Sequence, residues 1–225
     1  MARILVFDVN ETLLNLQPLE IHFERVFGDR TVIHEWFSQV ILYAEAVTLA
    51  DSYRTFGEVA TAALQMLAEE HAVALSEHDA RHIAGGIRSL PPHPEVAESL
   101  GRLKSAGFRL VTLTNSPMAV VEEQMANAKL QPFLERNFSV DTVKKFKPAP
   151  EPYRMVAREL GMQTDGLRMI AAHAWDVGGA QKAGCAAAFV ARPGKALSPV
   201  FPKPDIVGKD LREVSDAILV AEPRP

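Results

Sequence analysis

Five short apolar or β-branched runs, RILVFD at 3–8, FRLVTLT at 108–114, LRMIAAH at 167–173, AAAFVAR at 186–192 and PDIVG at 204–208, are separated by stretches with helical periodicity. Runs of this kind, bounded by turn signals and spaced by helices, are what strands buried on both faces of a parallel sheet look like. The pattern predicts an α/β fold built on a parallel sheet. Helices are predicted over Pro94–Ala106, Pro117–Ala128 and Pro150–Leu160. The last opens with proline in its first turn, where the missing N–H costs nothing.

The segment 16–93 breaks this alternation. It contains no convincing strand, and stretches such as FGEVATAALQMLAEEHAVAL repeat apolar residues three and four apart, as one helix face does. The clustered prolines of SLPPHPEV at 89–96 end such helices and stiffen a return crossing. The expected organisation is therefore a core formed by 1–15 and 94–225, with 16–93 inserted as a helical cap.

Composition excludes several other classes. With 24 Lys and Arg against 28 Asp and Glu, the net charge of −4 argues against a nucleic-acid-binding surface. No run approaches the ~18 apolar residues of a membrane span. The N-terminus lacks the basic, apolar and small-residue succession of a secretory signal, so a cytoplasmic protein is expected. The single cysteine, Cys185, sits among small apolar residues in KAGCAAAFV and reads as core, not as a reactive thiol.

The first run ends abruptly in a carboxylate, Asp8, within FDVNETL. Open α/β sheets bind ligands beyond the carboxyl ends of their strands, which is where Asp8 would stand. The next run ends LTNSP, bringing Thr114 and Asn115 to the same edge before a helix whose free N–H groups can hold an anion. VKKFKPAPEPY supplies Lys147 just before a helix that carries Tyr153, and IAAHAWDVGGAQKAG supplies His173, Trp175 and Asp176. Taken singly, Thr12 and Thr114 read as caps, Asn115 as a turn residue, Asp176 as the cap of a helix beginning VGGAQKAG, and Lys147 as part of a solvated cluster with Lys144 and Lys145. Taken together they offer a carboxylate, a hydroxyl and amide pair, a lysine, and a second carboxylate with histidine.

These four stretches, FDVNETL, LTNS, Lys147-Pro148 and AWDVGGA, resemble the four motifs of the haloacid dehalogenase superfamily. Thr12, the Lys-Pro followed by Tyr153, and Trp175-Asp176 followed by Gly179-Ala180 resemble the type II L-2-haloacid dehalogenases within it. The resemblance covers nearly the whole chain. It implies a Rossmann-like core with a helical cap, and hydrolytic dehalogenation of short 2-haloalkanoic acids to 2-hydroxy acids. In that reaction Asp8 would attack C2, displace halide with inversion, and form an ester that water then hydrolyses at its carbonyl. Thr12, Thr114, Asn115 and Asn10 would lie about the substrate, with Phe37, Tyr153 and Trp175 as further contacts. Asp176, with or without His173, would orient or deprotonate the water. A homodimer is also implied, although the sequence itself marks no interface.

Departures from the superfamily pattern sharpen the reading. Phosphatases of the superfamily carry a second Asp two residues after the nucleophile and another four residues before the last one; here those positions are Asn10 and Ala172. Asn10 has no proton to give a leaving alcohol, and two carboxylates make a poor magnesium site. A site without metal or cofactor is therefore expected, with Lys147 holding Asp8 ionised, as an opposite charge within ~4–6 Å does. Phe37 aligns with a cap arginine that receives halide in the type II enzymes; its ring edge offers a weaker contact. His173 replaces the usual asparagine and brings a titrating imidazole to the site. The same scaffold leaves open a magnesium-dependent phosphatase, a hydrolase of another small carboxylate such as a strained cyclic amino acid, or a binding protein without turnover.

Overall fold

The computed structural model describes residues 3–223, so the outer two residues at each end of the expected core lie outside the described residues. Six parallel strands form a sheet in the order β3-β2-β1-β4-β5-β6, where β1 is Ile4–Phe7, β2 Leu110–Thr114, β3 Arg136–Ser139, β4 Leu167–Ala171, β5 Ala186–Val190 and β6 Ile206–Gly208. Every residue of β1, β2 and β4 is buried, as strands covered by helices on both faces must be. The register pairs Val6 with Val111 on one side and with Met169 on the other, which sets β1 at the centre of the sheet. Sequence order runs outward from β1 in both directions, so the switch point lies where β1 meets β4.

The strand β3 is absent from the sequence-based expectation. Three of its four residues, RNFS, are polar, and its outer end is exposed because it lies at the sheet edge, so no apolar run announces it. Strand β4 carries a charge that its pattern does not explain. Arg168 is buried and donates to Asp205 at 2.7 and 2.8 Å, to Glu222 at 2.7 Å and to the Ala187 carbonyl at 3.1 Å. A buried guanidinium persists because carboxylates and a carbonyl take its donors.

Between β1 and the core helix α5 (Val96–Ser105) stand four helices, α1 (Glu20–Phe27), α2 (Val32–Leu49), α3 (Phe56–Glu70) and α4 (Glu77–Gly86). A capping box starts α3: the Thr55 hydroxyl accepts from the Glu58 N–H while the Glu58 carboxylate accepts from the Thr55 N–H. Trp36 of α2 is fully buried and donates its indole N–H to the Ala60 carbonyl of α3 at 2.9 Å, which ties the two helices face to face. The outgoing and returning chains run side by side, with Asn15 N–H donating to Pro91 O at 2.8 Å and His93 N–H to Leu13 O at 3.0 Å.

The remaining helices are α6 (Met118–Asn127), α7 (Pro150–Glu159), α8 (Ala174–Lys182) and α9 (Leu211–Ala221). Helix α8 begins three residues earlier than VGGAQKAG suggests, so His173 takes the cap position and Asp176 lies inside the first turn. No helix of the described residues is long and apolar enough to cross a membrane. Cys185 is buried, and that burial pushes its thiol up to about 12, which keeps it in the unreactive protonated form.

Candidate active site

Asp8 follows directly from β1, and its backbone N–H extends the β1–β4 ladder by donating to Ile170 O at 3.0 Å. Asp8 is thereby fixed at the switch point, its side chain 7% exposed. Lys147 reaches it from the far side. Its ammonium has three donors and gives one to Asp8 Oδ1 at 2.9 Å, one to Asp176 Oδ2 at 2.5 Å and one to the Leu113 carbonyl at 2.9 Å.

The Lys147 loop is itself pinned, because its backbone N–H donates to Asn115 Oδ1 at 3.1 Å. From the other side the loop rests on Gly179, where a Cβ would stand 2.7 Å from the Pro148 carbonyl oxygen. Only a residue without a side chain permits that approach.

Charge follows from this geometry. Burial alone would raise the Asp8 pKa, but Lys147, then His173 and Thr12, outweigh it and hold the carboxyl well below the usual carboxylate range. Burial likewise disfavours the Lys147 ammonium, and Asp176 and Asp8 reverse that and raise its pKa. Asp176 moves upward, because burial and the nearby Asp8 charge outweigh the lysine. It is the more basic of the two carboxylates.

Thr12, in the turn four residues beyond Asp8, donates to Asp8 Oδ2 at 2.6 Å and accepts the Ala172 N–H at 2.9 Å. Its hydroxyl thus links the Asp8 carboxylate to the end of β4. The buried Tyr153 hydroxyl donates to Asp176 Oδ1 at 2.7 Å and so orients that carboxylate. Asn10 turns away from Asp8, its amide donating to Ser116 Oγ at 3.4 Å and accepting from Gln124 at 3.0 Å. Thr114 accepts the Ser116 N–H at 3.1 Å, which leaves its own O–H free to donate.

His173 stands between two carboxylates. Its Nδ1 lies 3.0 Å from Asp8 Oδ2 and its Nε2 lies 2.9 Å from Glu11 Oε2. Burial opposes a charged ring, yet these two carboxylates overcome it and raise the pKa to about 9. With a carboxylate oxygen at hydrogen-bond distance from each ring nitrogen, the ring is placed to donate from both. His173, weighed from the sequence as a partner of Asp176 toward water, stands here as a second cation beside Asp8.

The ring is clamped between Trp175, at 4.9 Å between centroids, and Phe37 of α2, at 5.8 Å. Phe37 thus meets the site by stacking on an imidazolium. Sequence reasoning missed Glu11 and Lys195, whose ammonium donates to Glu11 Oε2 at 2.7 Å. Glu11 adjoins a residue already singled out, but Lys195 sits in the loop after β5 in a stretch, RPGKALSP, that carries no motif.

The donor set does not suit a divalent cation. The position between Asp8 and Asp176 is filled by the Lys147 ammonium, Ala172 presents a methyl group, and Asn10 faces elsewhere. Among the described residues no group of three or more His, Cys, Asp or Glu side chains is disposed to hold a metal. Magnesium requires an octahedral oxygen shell that these residues do not supply.

A family model described as a hydrolase, haloacid dehalogenase-like hydrolase, matches residues 2–184. The chain belongs to the haloacid dehalogenase-like hydrolases. Within this family it is 24% identical over 217 residues to the (S)-2-haloacid dehalogenase H-109 of Pseudomonas putida, covering 96% of this chain and 97% of that protein. It is 26% identical over 205 residues to the haloacetate dehalogenase H-2 of Moraxella sp. (strain B), covering 89% of this chain and 91% of that one. Its fold superposes on the L-2-haloacid dehalogenase of Xanthobacter autotrophicus with chloropropionic acid covalently bound, at a TM-score of 0.89 and 24% identity over 97% of this chain and 98% of that one. The family's parallel-sheet core therefore accounts for the strand order β3-β2-β1-β4-β5-β6 seen here.

Proposed function

We propose that this protein is a hydrolytic dehalogenase of short 2-haloalkanoic acids that works without a metal. The observation that carries the reading is the placement of Lys147 Nζ between Asp8 Oδ1 at 2.9 Å and Asp176 Oδ2 at 2.5 Å. A carboxylate held anionic by an ammonium is a nucleophile toward carbon, and two relatives are named for activity on 2-haloacids and haloacetate.

Asp8 Oδ1 has one hydrogen-bond donor and Oδ2 has two, which makes Oδ1 the freer nucleophile. It attacks C2 of the substrate, and the C2–halogen bond breaks with its electron pair leaving on the halide. The Thr114 hydroxyl and the Asn115 amide NH2, whose Oδ1 is occupied by Lys147 N–H, bind the substrate carboxylate. Water then adds to the ester carbonyl carbon and gives a proton to Asp176, whose raised pKa suits it to the task. Collapse breaks the Cγ–Oδ1 bond. Lys147 protonates the departing Oδ1 and recovers its proton from Asp176, so the 2-hydroxy acid leaves with one aspartate oxygen.

In this reading segment 16–93 acts as a cap over the switch point, with Phe37 its contact to the site. Self-association through α2, where Leu42 and Leu49 are 59% and 88% exposed, and a cytoplasmic location belong to the same reading. Incubation with 2-chloropropionate and with p-nitrophenyl phosphate, each with EDTA or magnesium, tests it. Halide release in EDTA supports it, whereas phosphate release that needs magnesium overturns it. Asp8→Asn should keep the fold and abolish turnover.

A further inference from the structure

Glu11 has no part in the steps above, yet it lies at the second nitrogen of His173. The charged groups alternate in sign from end to end: Lys147, Asp8, His173, Glu11 and Lys195, joined by contacts of 2.9, 3.0, 2.9 and 2.7 Å. Glu11 occupies this place in a left-handed backbone conformation, φ 59°, that residues with a side chain rarely adopt. Strain of this kind persists where the surroundings over-determine it. Burial disfavours its charge, but the hydrogen bond and charge of His173, with Lys195, hold its pKa below the ordinary value.

Two groups face His173 directly with charge, Asp8 from the end of β1 and Glu11 from the turn after it; Phe37 of α2 and Trp175 of α8 present rings. The cations Lys147 and Lys195 each stand behind one of these carboxylates. The balance changes during the reaction proposed above. Once Asp8 is an ester it is neutral, and only Glu11 is left to hold the proton on the ring. At that stage Asp8 Oδ2 is the ester carbonyl oxygen, already facing the Thr12 hydroxyl at 2.6 Å and His173 Nδ1 at 3.0 Å.

We infer that Glu11 is a positioning residue that keeps His173 cationic through the ester stage, so that its Nδ1–H and the Thr12 hydroxyl form the oxyanion hole for ester hydrolysis. When water adds to Cγ, the π pair moves onto Oδ2 and the two donors meet the new negative charge. When the intermediate collapses, the pair returns to re-form the carbonyl as Cγ–Oδ1 breaks, and the ring keeps its proton. The new Asp8 carboxyl then ionises and restores the resting contact. Donors already aimed at a developing oxyanion stabilise it without reorganisation, and loss of one costs about 10²–10³ in rate.

This inference rests on the dehalogenase reading, and the test separates the two. Single turnovers of 2-chloropropionate are quenched across neutral to alkaline pH, and the ester on Asp8 is followed by mass, with a nitrogen-15 NMR titration of the His173 ring run in parallel without substrate. In the unaltered protein, ester hydrolysis should fall as the ring deprotonates.

Glu11→Gln should move that fall to lower pH and make the ester accumulate, approaching a 10²-fold slower hydrolysis once the ring is neutral, while ester formation changes little. Lys195→Met removes a cation behind Glu11 and should move the fall the opposite way, which structural damage alone would not do. Hydrolysis in Glu11→Gln with an unchanged rate and pH profile, or a ring that titrates as neutral at pH 7, overturns the inference and leaves the reading intact. An unaltered protein that forms no ester overturns both.

Discussion

Lys147 Nζ stands 2.9 Å from Asp8 Oδ1 with its side chain fully withdrawn from solvent. A charge in that position is stable only because Asp8, Asp176 and the Leu113 carbonyl consume all three of its donors. Removing it leaves two buried carboxylates facing one another without a cation. Lys147→Met should cost about 3–5 kcal/mol of stability, the range seen when one partner of a buried pair is deleted. Urea melts would measure this, and halide release should vanish in the same variant.

The same contact predicts indifference to chelation. Because the ammonium occupies the place between Asp8 and Asp176, EDTA should leave halide release unchanged and added magnesium should not raise it. A ten-fold loss in EDTA, restored by magnesium, would sink the metal-free assignment.

His173 makes stability depend on pH in a defined direction. Its pKa rises from 6.5 to about 9 on folding, so the folded protein binds this proton more tightly than the unfolded chain. The stabilisation is complete below about 6.5 and is lost as pH climbs through about 9. Melting temperatures should therefore decline across that interval. His173→Gln, which cannot titrate, should flatten the decline, and an identical slope in both proteins would remove His173 as its source.

The fold was legible because strands near the centre of the sheet are buried on both faces and are written mostly in apolar residues; β1 is wholly so, and β4 is so except for the ion-paired Arg168. The edge strand β3 was not, since its exposed outer end tolerates Arg136 and Asn137. Asp8, Lys147 and Asp176 were legible because each closes or follows a recognisable strand or precedes a helix. The charge state of His173 was not, because it depends on Glu11, which is close in sequence to Asp8 but turned by a left-handed backbone, and the resemblance supplied a residue there that does not titrate. Lys195 is 184 residues from Glu11, and only the placement of β5 next to β4 brings it there.

Gly179 offers a way to displace the site without altering any of its charged groups. A methyl group at this position would stand 2.5 Å from Pro148 Cβ, 2.7 Å from the Pro148 carbonyl oxygen and 2.9 Å from its Cα. Two of those atoms are backbone, so the strand of chain carrying Lys147 has to retreat. Overpacking of this kind costs about 1–3 kcal/mol. A retreat of about 1 Å would misplace the ammonium relative to Asp8 and lower kcat by about 10²-fold. Gly179→Ala should therefore lose much more activity than stability. Gly101→Ala, inside α5, is the control, since its Cβ would meet only the Phe133 ring, at 3.4 Å from Cε1. It should gain up to about 1 kcal/mol from helix propensity and keep full turnover. Paired melts and kcat measurements on the two variants would decide the matter; equal kcat values would mean that the Lys147 loop absorbs the methyl group without moving its ammonium.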